Sequence, residues 1–255
     1  MVKVAIIGGT GLENPQLLDD PDSITIITPY GEPSSDFLTG KLNGVDVALL
    51  SRHKRDHSIP PTQVNNPANI YAIKELGCTH IIATTACGSL REEIGRGYLV
   101  FPDQFIDFTR LRKVSFYDKF IAGDLRHTSM ADPFNEDLRQ ILIKTSKQLK
   151  LKYHPKGTII TIEGARFSTR AESKMFRNWG ADIINMSTAP EVILANEIGL
   201  PYAAIAMSTD YDSWRTDEEP VSWGEIVKVF KENVNNVVEL VLKSLPKIKL
   251  PTEQI

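Results

Sequence analysis

Two carboxylates follow an apolar run near the C-terminal end of the chain. Residues 202–207 read Tyr-Ala-Ala-Ile-Ala-Met, a pattern typical of a strand buried on both faces, and Asp210 and Asp212 follow shortly after. An ionised carboxylate is costly to bury without a partner. In an extended backbone, residues two apart face the same way. We therefore predict that both aspartates bind one edge of a ligand and that their repulsion separates their pKa values.

Groups suited to an oxyanion follow several other runs. A glycine-rich turn around Thr10 follows the run 2–7, and free N–H groups in such a turn can hold an anion. Arg52 and His53 follow the run 45–50, and the planar guanidinium group matches an oxyanion. The candidate oxyanion contacts are Thr10, Arg52, His53, Thr85 and Ser187. Each also has an ordinary structural explanation, as a tight turn, a solvated basic loop, a β-forming threonine or a helix cap.

One aromatic residue is placed to stack on a heterocycle. Phe167 lies between the strand-like run 158–162 and a helix start with a capping box formed by Thr169 and Glu172. It is either ordinary core or a stacking platform. A site for an oxyanion and a heterocycle fits a nucleotide pocket or a reaction between a nucleoside and phosphate. The sequence has no metal-ligand spacing, no Ser/His/Asp arrangement and no G-x-G-x-x-G dinucleotide motif.

Alternating strands and helices must position these side chains. Apolar runs predict strands at 2–7, 36–42, 45–50, 80–86, 158–162 and 202–207, a short strand and turn within 99–108, and a hairpin turn at Asn43-Gly44. Periodicity and caps predict helices at 66–75, 135–149, 169–179 and 223–242, and a helix start at 186–191. Residues 112–133, which include His127, lack a sustained period, as is typical of a lid or interface loop. We predict one α/β domain over residues 1–255, with a polar tail from about residue 246.

The overall composition narrows the class of protein. A chain of 255 residues with 42% hydrophobic and 24% charged residues is ordinary for a globular enzyme. The net charge of −3 gives no reason to expect nucleic acid or an anionic membrane as a partner. The first apolar run is too short for a signal peptide, and no run is long enough to span a bilayer. Two cysteines are too few for a disulfide framework, so we expect a cytoplasmic protein.

Six blocks of the chain together resemble the purine nucleoside phosphorylase family. They are Gly8-Gly9-Thr10-Gly11, Ser51-Arg52-His53, Thr84–Leu90, Glu163–Ser168, Asn185–Thr188 and Thr209–Asp212. The blocks occur in order across almost the whole chain, and within the family the chain looks like the 5′-methylthioadenosine phosphorylases. The resemblance implies a single α/β domain with a twisted mixed β-sheet flanked by helices. It also implies a homotrimer with active sites near the subunit interfaces.

The resemblance further implies a role for each candidate residue. Phosphate, as co-substrate, would be held by Thr10, Arg52, His53, Thr85, Ala86 and Ser187. The nucleoside would contact Phe167, Met186, Asp210 and Asp212, the two aspartates being the catalytic pair that faces N7 and the 6-amino group of adenine. Substrate specificity would depend on Ser168, Trp223, Ile226 and His127, the last reaching the 5′ pocket of a neighbouring subunit. The resemblance implies no metal and no cofactor.

The expected reaction is phosphorolysis of 5′-methylthioadenosine to adenine and 5-methylthioribose 1-phosphate. Trp223 is bulkier than the aliphatic residue that the resemblance predicts there, which favours a smaller 5′ group. The chain stops at Ile255, short of the C-terminal helix that closes this pocket in longer relatives, which favours an open site. Adenosine is therefore a second candidate substrate. The alternatives are a phosphorylase of 6-oxopurine nucleosides (inosine, guanosine or methylthioinosine), a hydrolytic nucleosidase and a non-catalytic purine-binding protein.

Overall fold

Eleven strands and five helices form the described part of the chain. The computed structural model describes residues 1–8, 17–217 and 222–250. The strands are β1 (Lys3–Gly8), β2 (Asp19–Ile24), β3 (Phe37–Leu42), β4 (Val45–Ser51), β5 (His80–Ser89), β6 (Leu99–Val100), β7 (Gln104–Phe108), β8 (Tyr153–His154), β9 (Thr158–Ile162), β10 (Ile183–Asn185) and β11 (Tyr202–Asp210). The helices are α1 (Asn66–Glu75), α2 (Glu136–Gln148), α3 (Arg170–Asn178), α4 (Thr188–Glu197) and α5 (Trp223–Ser244).

All eleven strands belong to one mixed sheet. Its main path runs β2-β3-β4-β1-β5-β10-β9-β7, and β11 joins β5 to β6, which in turn pairs with β8. The pairs β1–β4, β1–β5, β5–β11, β9–β10 and β7–β9 are parallel, whereas β2–β3, β3–β4, β5–β10 and β6–β11 are antiparallel. The predicted mixed α/β sheet is therefore confirmed.

On one side of β5, the two neighbouring strands β1 and β10 leave part of the β5 backbone unpaired by strands. The β1 ladder on β5 ends at Ala83, and the β10 ladder begins at Gly88. Between these points the backbone of β5 runs past the ends of both neighbours, while β11 pairs with it on the other side. Ligands of open α/β sheets bind where neighbouring strands diverge at their carboxyl ends.

Apolar cores cover both faces of the sheet around β11. Along this strand, Ala204 and Ala206 belong to a core that contains residues of α1 and α4. The alternating residues Ala203 and Ile205 belong to a second core that contains residues of α2 and α5. Burial on both faces explains why 202–207 reads as an unbroken apolar run rather than an alternating one.

Local signals in the sequence hold well in several elements. The hairpin turn at Asn43 and Gly44 has φ angles of 49° and 78°, as a two-residue turn of the mirror-image type I requires. The capping box at Thr169 and Glu172 is present with both of its hydrogen bonds. Helix α1 begins at Asn66, with Asn65 accepting a hydrogen bond at its N-cap.

Three short strands and the start of the polar tail differ from the sequence predictions. Strand β2 was not predicted because its residues, Asp-Asp-Pro-Asp-Ser-Ile, are polar and contain proline, which is tolerated at a sheet edge. Strands β8 and β10, of two and three residues, are too short to carry a period. The predicted polar tail starts too early at residue 246, because Ile248 is buried in the core that α2 and α5 cover.

Residues 109–135 connect β7 to α2, and the stretch 112–133 contains little regular structure, as predicted. An isolated bridge joins Ile121 and Asp124, and the large apolar side chains of Leu111, Ile121 and Leu125 are exposed. None of the helices in the described ranges has the length and apolar character needed to cross a membrane.

Candidate active site

A cavity of about 430 Å³ lies at the carboxyl ends of β4, β5, β10 and β11, with the first turns of α5 as its outer wall. It is lined by twelve of the fourteen predicted site residues: Arg52, His53, Thr85, Ala86, Phe167, Ser168, Met186, Ser187, Asp210, Asp212, Trp223 and Ile226. Thr10 lies outside the described residues. His127 does not line the cavity of its own chain, and its ring packs 5.3 Å from that of Phe120. Residues far apart in sequence thus meet in one site.

Arg52 lies at the floor of the cavity and is only 4% exposed. Its backbone N–H donates to Gly8 O, which extends the β1–β4 ladder by one bond. Its Nη1 donates to Thr84 O at 2.8 Å, within the part of β5 that lies between the β1 and β10 ladders. Its Nε and Nη2 both donate to the carboxylate of Glu191 on α4. These bonds orient the guanidinium group on three sides.

A cluster of hydroxyl groups lies beside Arg52. Thr85 Oγ1 and Ser187 Oγ are 3.3 Å apart, and Asn185 Nδ2 donates to both at 3.2 Å. Ser187 occupies the N-cap position of α4, yet its hydroxyl makes no cap hydrogen bond. Hydroxyl groups and the N-terminus of a helix together suit an anion.

His53 lies on the same side of the cavity as Arg52, and its imidazole ring is neutral. Burial and, next, the charge of Arg52 lower the pKa of its imidazole to about 4. Its Nδ1 lies 2.9 Å from Ile59 O, which assigns the proton to Nδ1 because a carbonyl oxygen can only accept. The other ring nitrogen, Nε2, is then a hydrogen-bond acceptor.

The two aspartates lie on the opposite side of the cavity. Asp210 is the last residue of β11. Asp212, with φ of 44°, begins a short 3-10 turn. The backbone between the two aspartates is therefore not extended, contrary to the prediction. Both carboxyl groups nevertheless line the cavity and are 6% and 7% exposed. Asp210 accepts hydrogen bonds from Thr209 Oγ1 and from the backbone N–H of Asp212, at 2.8 and 2.9 Å.

Burial is the main cause of the unusual ionisation of this acid pair. It raises the pKa of Asp210 to about 6, against hydrogen bonds that lower it, and the charge of Asp212 adds a smaller increase. Burial likewise raises the pKa of Asp212. The predicted repulsion therefore acts on Asp210 but is not the leading effect.

Unpartnered oxygen atoms surround Asp212. The hydroxyl groups of Ser168 and Ser173 act to lower the pKa of this carboxyl group. Within the described residues, however, Asp212 Oδ2 and both serine Oγ atoms are buried and form no hydrogen bond of ordinary geometry. Buried polar atoms without partners are unfavourable. They leave Asp212 able to accept a hydrogen bond from a donor on a ligand.

The mouth of the cavity is largely apolar. Phe167 and Met186 contribute from the ends of β9 and β10, and Ile226 from α5. Trp223, the first residue of α5, also lines the cavity but is 65% exposed. An aromatic ring and aliphatic groups near an acid pair fit a flat ring with polar edges.

Sequence reasoning missed several residues that shape the site. Gly88 lies so close to the acid pair that a Cβ atom there would be 2.9 Å from Asp210 Oδ2. Its place just after the strand-like run 80–86 was a signal of close approach, because the strand continues through Gly88 to Ser89. Asn185 and Glu191 gave no such signal, because their partners Thr85 and Arg52 are distant in sequence.

A second ionic cluster ties the loop after β7 to the backbone of Met186, which lines the cavity. Glu163 accepts hydrogen bonds from the backbone N–H groups of Arg110 and Leu111 and from Arg112 Nε, at 2.8 to 2.9 Å. Although burial raises the pKa of Glu163, these bonds outweigh it and lower the pKa to about 2. Arg112 Nη1 donates to Met186 O, so the loop holds the backbone beside the cavity.

Comparison with known proteins assigns the chain to a class. The model of the phosphorylase superfamily matches residues 3–246, and the chain belongs to this superfamily. S-methyl-5′-thioadenosine phosphorylase of Xenopus tropicalis is 53% identical over 251 residues, covering 97% of this chain and 89% of that protein. The Danio rerio enzyme of the same name is 51% identical over 249 residues, with the same coverage.

Solved structures agree with the sequence relatives. Methylthioadenosine phosphorylase from Schistosoma mansoni in complex with adenine superposes with a TM-score of 0.91 at 40% identity, covering 97% of this chain and 92% of that one. A mutant of the Schistosoma mansoni enzyme in complex with methylthioadenosine gives a TM-score of 0.90 at 39% identity, over 97% of this chain and 91% of that one. The resemblance inferred from the six sequence blocks is confirmed.

Proposed function

We propose that this protein cleaves 5′-methylthioadenosine with phosphate, giving adenine and 5-methylthioribose 1-phosphate. One observation carries the proposal: a single cavity holds an oxyanion side around Arg52 and a buried acid pair at Asp210 and Asp212. A reaction between a nucleoside and phosphate needs both. The relatives named for this activity, at about half identity over nearly the whole chain, support it.

Each side of the cavity takes one substrate. Arg52, His53, Thr85, Ala86 and Ser187 bind phosphate, together with Thr10 from outside the described residues. Met186 packs against the ribose, Phe167 against the purine, and the acid pair binds the purine edge. Phosphate is the co-substrate, and the chemistry requires no metal or cofactor.

In the reaction, one bond to C1′ forms while another bond to C1′ breaks. A phosphate oxygen forms a bond to C1′ while the bond from C1′ to the purine N9 breaks, through a sugar with oxocarbenium character. The electron pair of the broken bond stays on the purine, and a proton at N7 neutralises it. Asp210, whose pKa is raised to about 6, keeps a proton at higher pH than an ordinary aspartate and donates it to N7. Positioning of the two substrates supplies much of the rate.

The acid pair favours an aminopurine over a 6-oxopurine. Ionised Asp212 accepts a hydrogen bond from a 6-amino group through the unpartnered Oδ2, whereas a 6-oxo group would place two acceptors against each other. A 6-oxopurine nucleoside phosphorylase is therefore the second candidate, and a purine-binding protein without turnover is the third.

Specificity at the 5′ position depends on the cavity mouth and on a second subunit. Ser168, Trp223 and Ile226 line the cavity and form its specificity residues. We propose a homotrimer in which His127 reaches the 5′ pocket of a neighbouring subunit, since this residue is exposed in a loop with exposed apolar side chains. We also propose a cytoplasmic protein, because both cysteines are buried free thiols that a reducing compartment preserves.

The test is base release from three nucleosides. The protein is incubated with 5′-methylthioadenosine, adenosine or inosine, each with and without phosphate. We expect phosphate-dependent release of adenine from 5′-methylthioadenosine, with slower turnover of inosine. Faster turnover of inosine would favour the 6-oxopurine enzyme, release without phosphate a nucleosidase, and tight binding without release a purine-binding protein.

A further inference from the structure

Glu191 forms a buried ionic network directly behind the oxyanion side of the cavity. Glu191 lies on the first turn of α4 and is 1% exposed, and both of its carboxylate oxygens have partners. Arg52 Nε donates to Oε1, and Arg52 Nη2 donates to Oε2 at 3.1 Å. Tyr202 Oη, from the start of β11, donates to Oε2 at 2.8 Å. Glu191 makes these contacts from behind the cavity wall and does not itself line the cavity.

The two parallel bonds from Arg52 to Glu191 define the plane of the guanidinium group. Such bidentate pairs add geometric specificity as well as energy, because both donors must align with both acceptors. A third bond, from Arg52 Nη1 to Thr84 O, holds the side nearest β5. Rotation of the guanidinium group would break at least one charged hydrogen bond in a buried setting, which is strongly unfavourable.

Glu191 also links the two elements that flank the proposed phosphate position. Arg52 follows β4, whereas Ser187 sits at the N-terminus of α4, one turn before Glu191. The ion pair therefore sets the distance between the guanidinium group and the hydroxyl cluster of Ser187 and Thr85. Tyr202 fixes the remaining freedom of the Glu191 carboxylate from β11.

We infer that Glu191, supported by Tyr202, is a positioning residue for inorganic phosphate that acts through Arg52. This inference rests on the proposed function, because it assumes that the Arg52 side of the cavity binds phosphate. Outer partners that orient metal ligands change metal affinity or activity by roughly 10- to 100-fold when they are removed, and we expect an effect of the same order for phosphate here.

The test separates phosphate binding from nucleoside binding. In Glu191→Gln the amide NH₂ group faces an N–H of Arg52 in either orientation of the amide, so one of the two bonds from Arg52 is lost and the guanidinium group turns. We expect the KM for inorganic phosphate to rise roughly 10-fold or more and the KM for 5′-methylthioadenosine to change less than about 2-fold. Tyr202→Phe, which removes only one hydroxyl, should raise the KM for phosphate by a smaller factor, about 2- to 5-fold.

A double-mutant cycle shows whether Glu191 acts through Arg52. Arg52→Lys removes the bidentate partner, so adding Glu191→Gln to it should raise the KM for phosphate by much less than Glu191→Gln does alone. Glu136→Gln is the matched control, because Glu136 pairs with another buried arginine, Arg139, away from the cavity. This control should leave both KM values unchanged.

Three outcomes would overturn the inference: additive effects in the cycle, equal increases in both KM values, or a lower KM for phosphate in Glu191→Gln. If Glu191→Gln does not fold, Tyr202→Phe decides through the same ratio of KM values. Failure of the proposed function is separate, since wild-type protein would then show no phosphate-dependent cleavage. Calorimetric titration with inorganic phosphate would still compare wild type with Glu191→Gln in that case.

Discussion

At the residue scale, the ionisation of Asp210 links burial to chemistry. Its carboxyl group is almost fully removed from water, and this burial raises its pKa to about 6. A raised acid pKa means that the folded protein binds the proton more tightly than the unfolded chain. The stability contribution of this group is therefore present at low pH and is lost as the pH rises from the ordinary value through about 6.

Asp210→Asn should abolish both the pH-dependent stability contribution of this carboxyl group and its donation of a proton to the substrate. We expect kcat/KM for 5′-methylthioadenosine to fall about 10²-fold or more, because the proton donor at N7 and a charge-assisted contact are lost. The wild-type profile of kcat/KM against pH should decline above about pH 6, and the variant should lack this decline. Near wild-type turnover of 5′-methylthioadenosine by Asp210→Asn would contradict the assignment.

We propose that Trp223, which lines the cavity, limits the size of the 5′ substituent. Replacing it with valine removes a bulky ring from the first turn of α5 and enlarges the mouth. We expect Trp223→Val to raise kcat/KM for 5′-alkylthio nucleosides with longer chains by about tenfold relative to adenosine. Kinetics with a series of 5′-alkylthioadenosines measures this ratio. An unchanged ratio would show that the ring does not contact the 5′ group.

At the element scale, Glu163 anchors the loop after β7 to the backbone of Met186. Its pKa is lowered to about 2 because four hydrogen bonds, from Thr62 and residues 110–112, outweigh the effect of burial. A depressed pKa means that this stabilisation is present above the ordinary glutamate value and is lost as the pH falls towards 2. The loop and the backbone of Met186 at the cavity therefore depend on the same carboxylate.

Glu163→Gln should loosen both the loop and the site. We expect a loss of about 1–3 kcal/mol in the free energy of unfolding, because several bonds to a charged group become bonds to a neutral one. The KM for 5′-methylthioadenosine should rise because Arg112 no longer holds Met186 O firmly. Glu239→Gln, in an exposed ion pair with Lys243, is the control and should change the stability by less than about 0.5 kcal/mol. Equal effects of both substitutions would contradict this role.

Local signals in the sequence predicted most elements, and contacts between distant segments account for what was missed. The turn at Asn43 and Gly44 and the cap at Thr169 follow from the chemistry of neighbouring residues. Strand β2 is held by pairing with β3 rather than by its own apolar pattern, so its sequence could not reveal it.

In the candidate site too, residues with a local sequence signal were predicted, whereas residues held by distant contacts were not. Its cavity-lining residues follow strand ends or were marked by a family pattern. Glu191, by contrast, pairs with a residue 139 positions away and has the sequence context of an ordinary helical glutamate. The turn at Asp212 was also unpredicted, because distant residues hold the segment that follows: Ser213 Oγ donates to Ser168 O, and Trp214 Nε1 donates to Ser89 O.

At the scale of the whole molecule, we propose that a neighbouring subunit completes the site. His127 lies in an exposed loop and does not line the cavity of its own chain. Light scattering should give three times the 28.5 kDa mass of the chain. His127→Ala should raise the KM for 5′-methylthioadenosine several-fold without changing this mass. A fully active monomer would contradict the shared site.

We propose that one cavity joins phosphate to the sugar of an aminopurine nucleoside. The most direct test follows 5′-methylthioadenosine and inorganic phosphate by ³¹P NMR while adenine is measured by absorbance. We predict that one sugar 1-phosphate forms for each adenine released and that inorganic phosphate falls by the same amount. Adenine release without loss of inorganic phosphate, or no release at all, would contradict the claim.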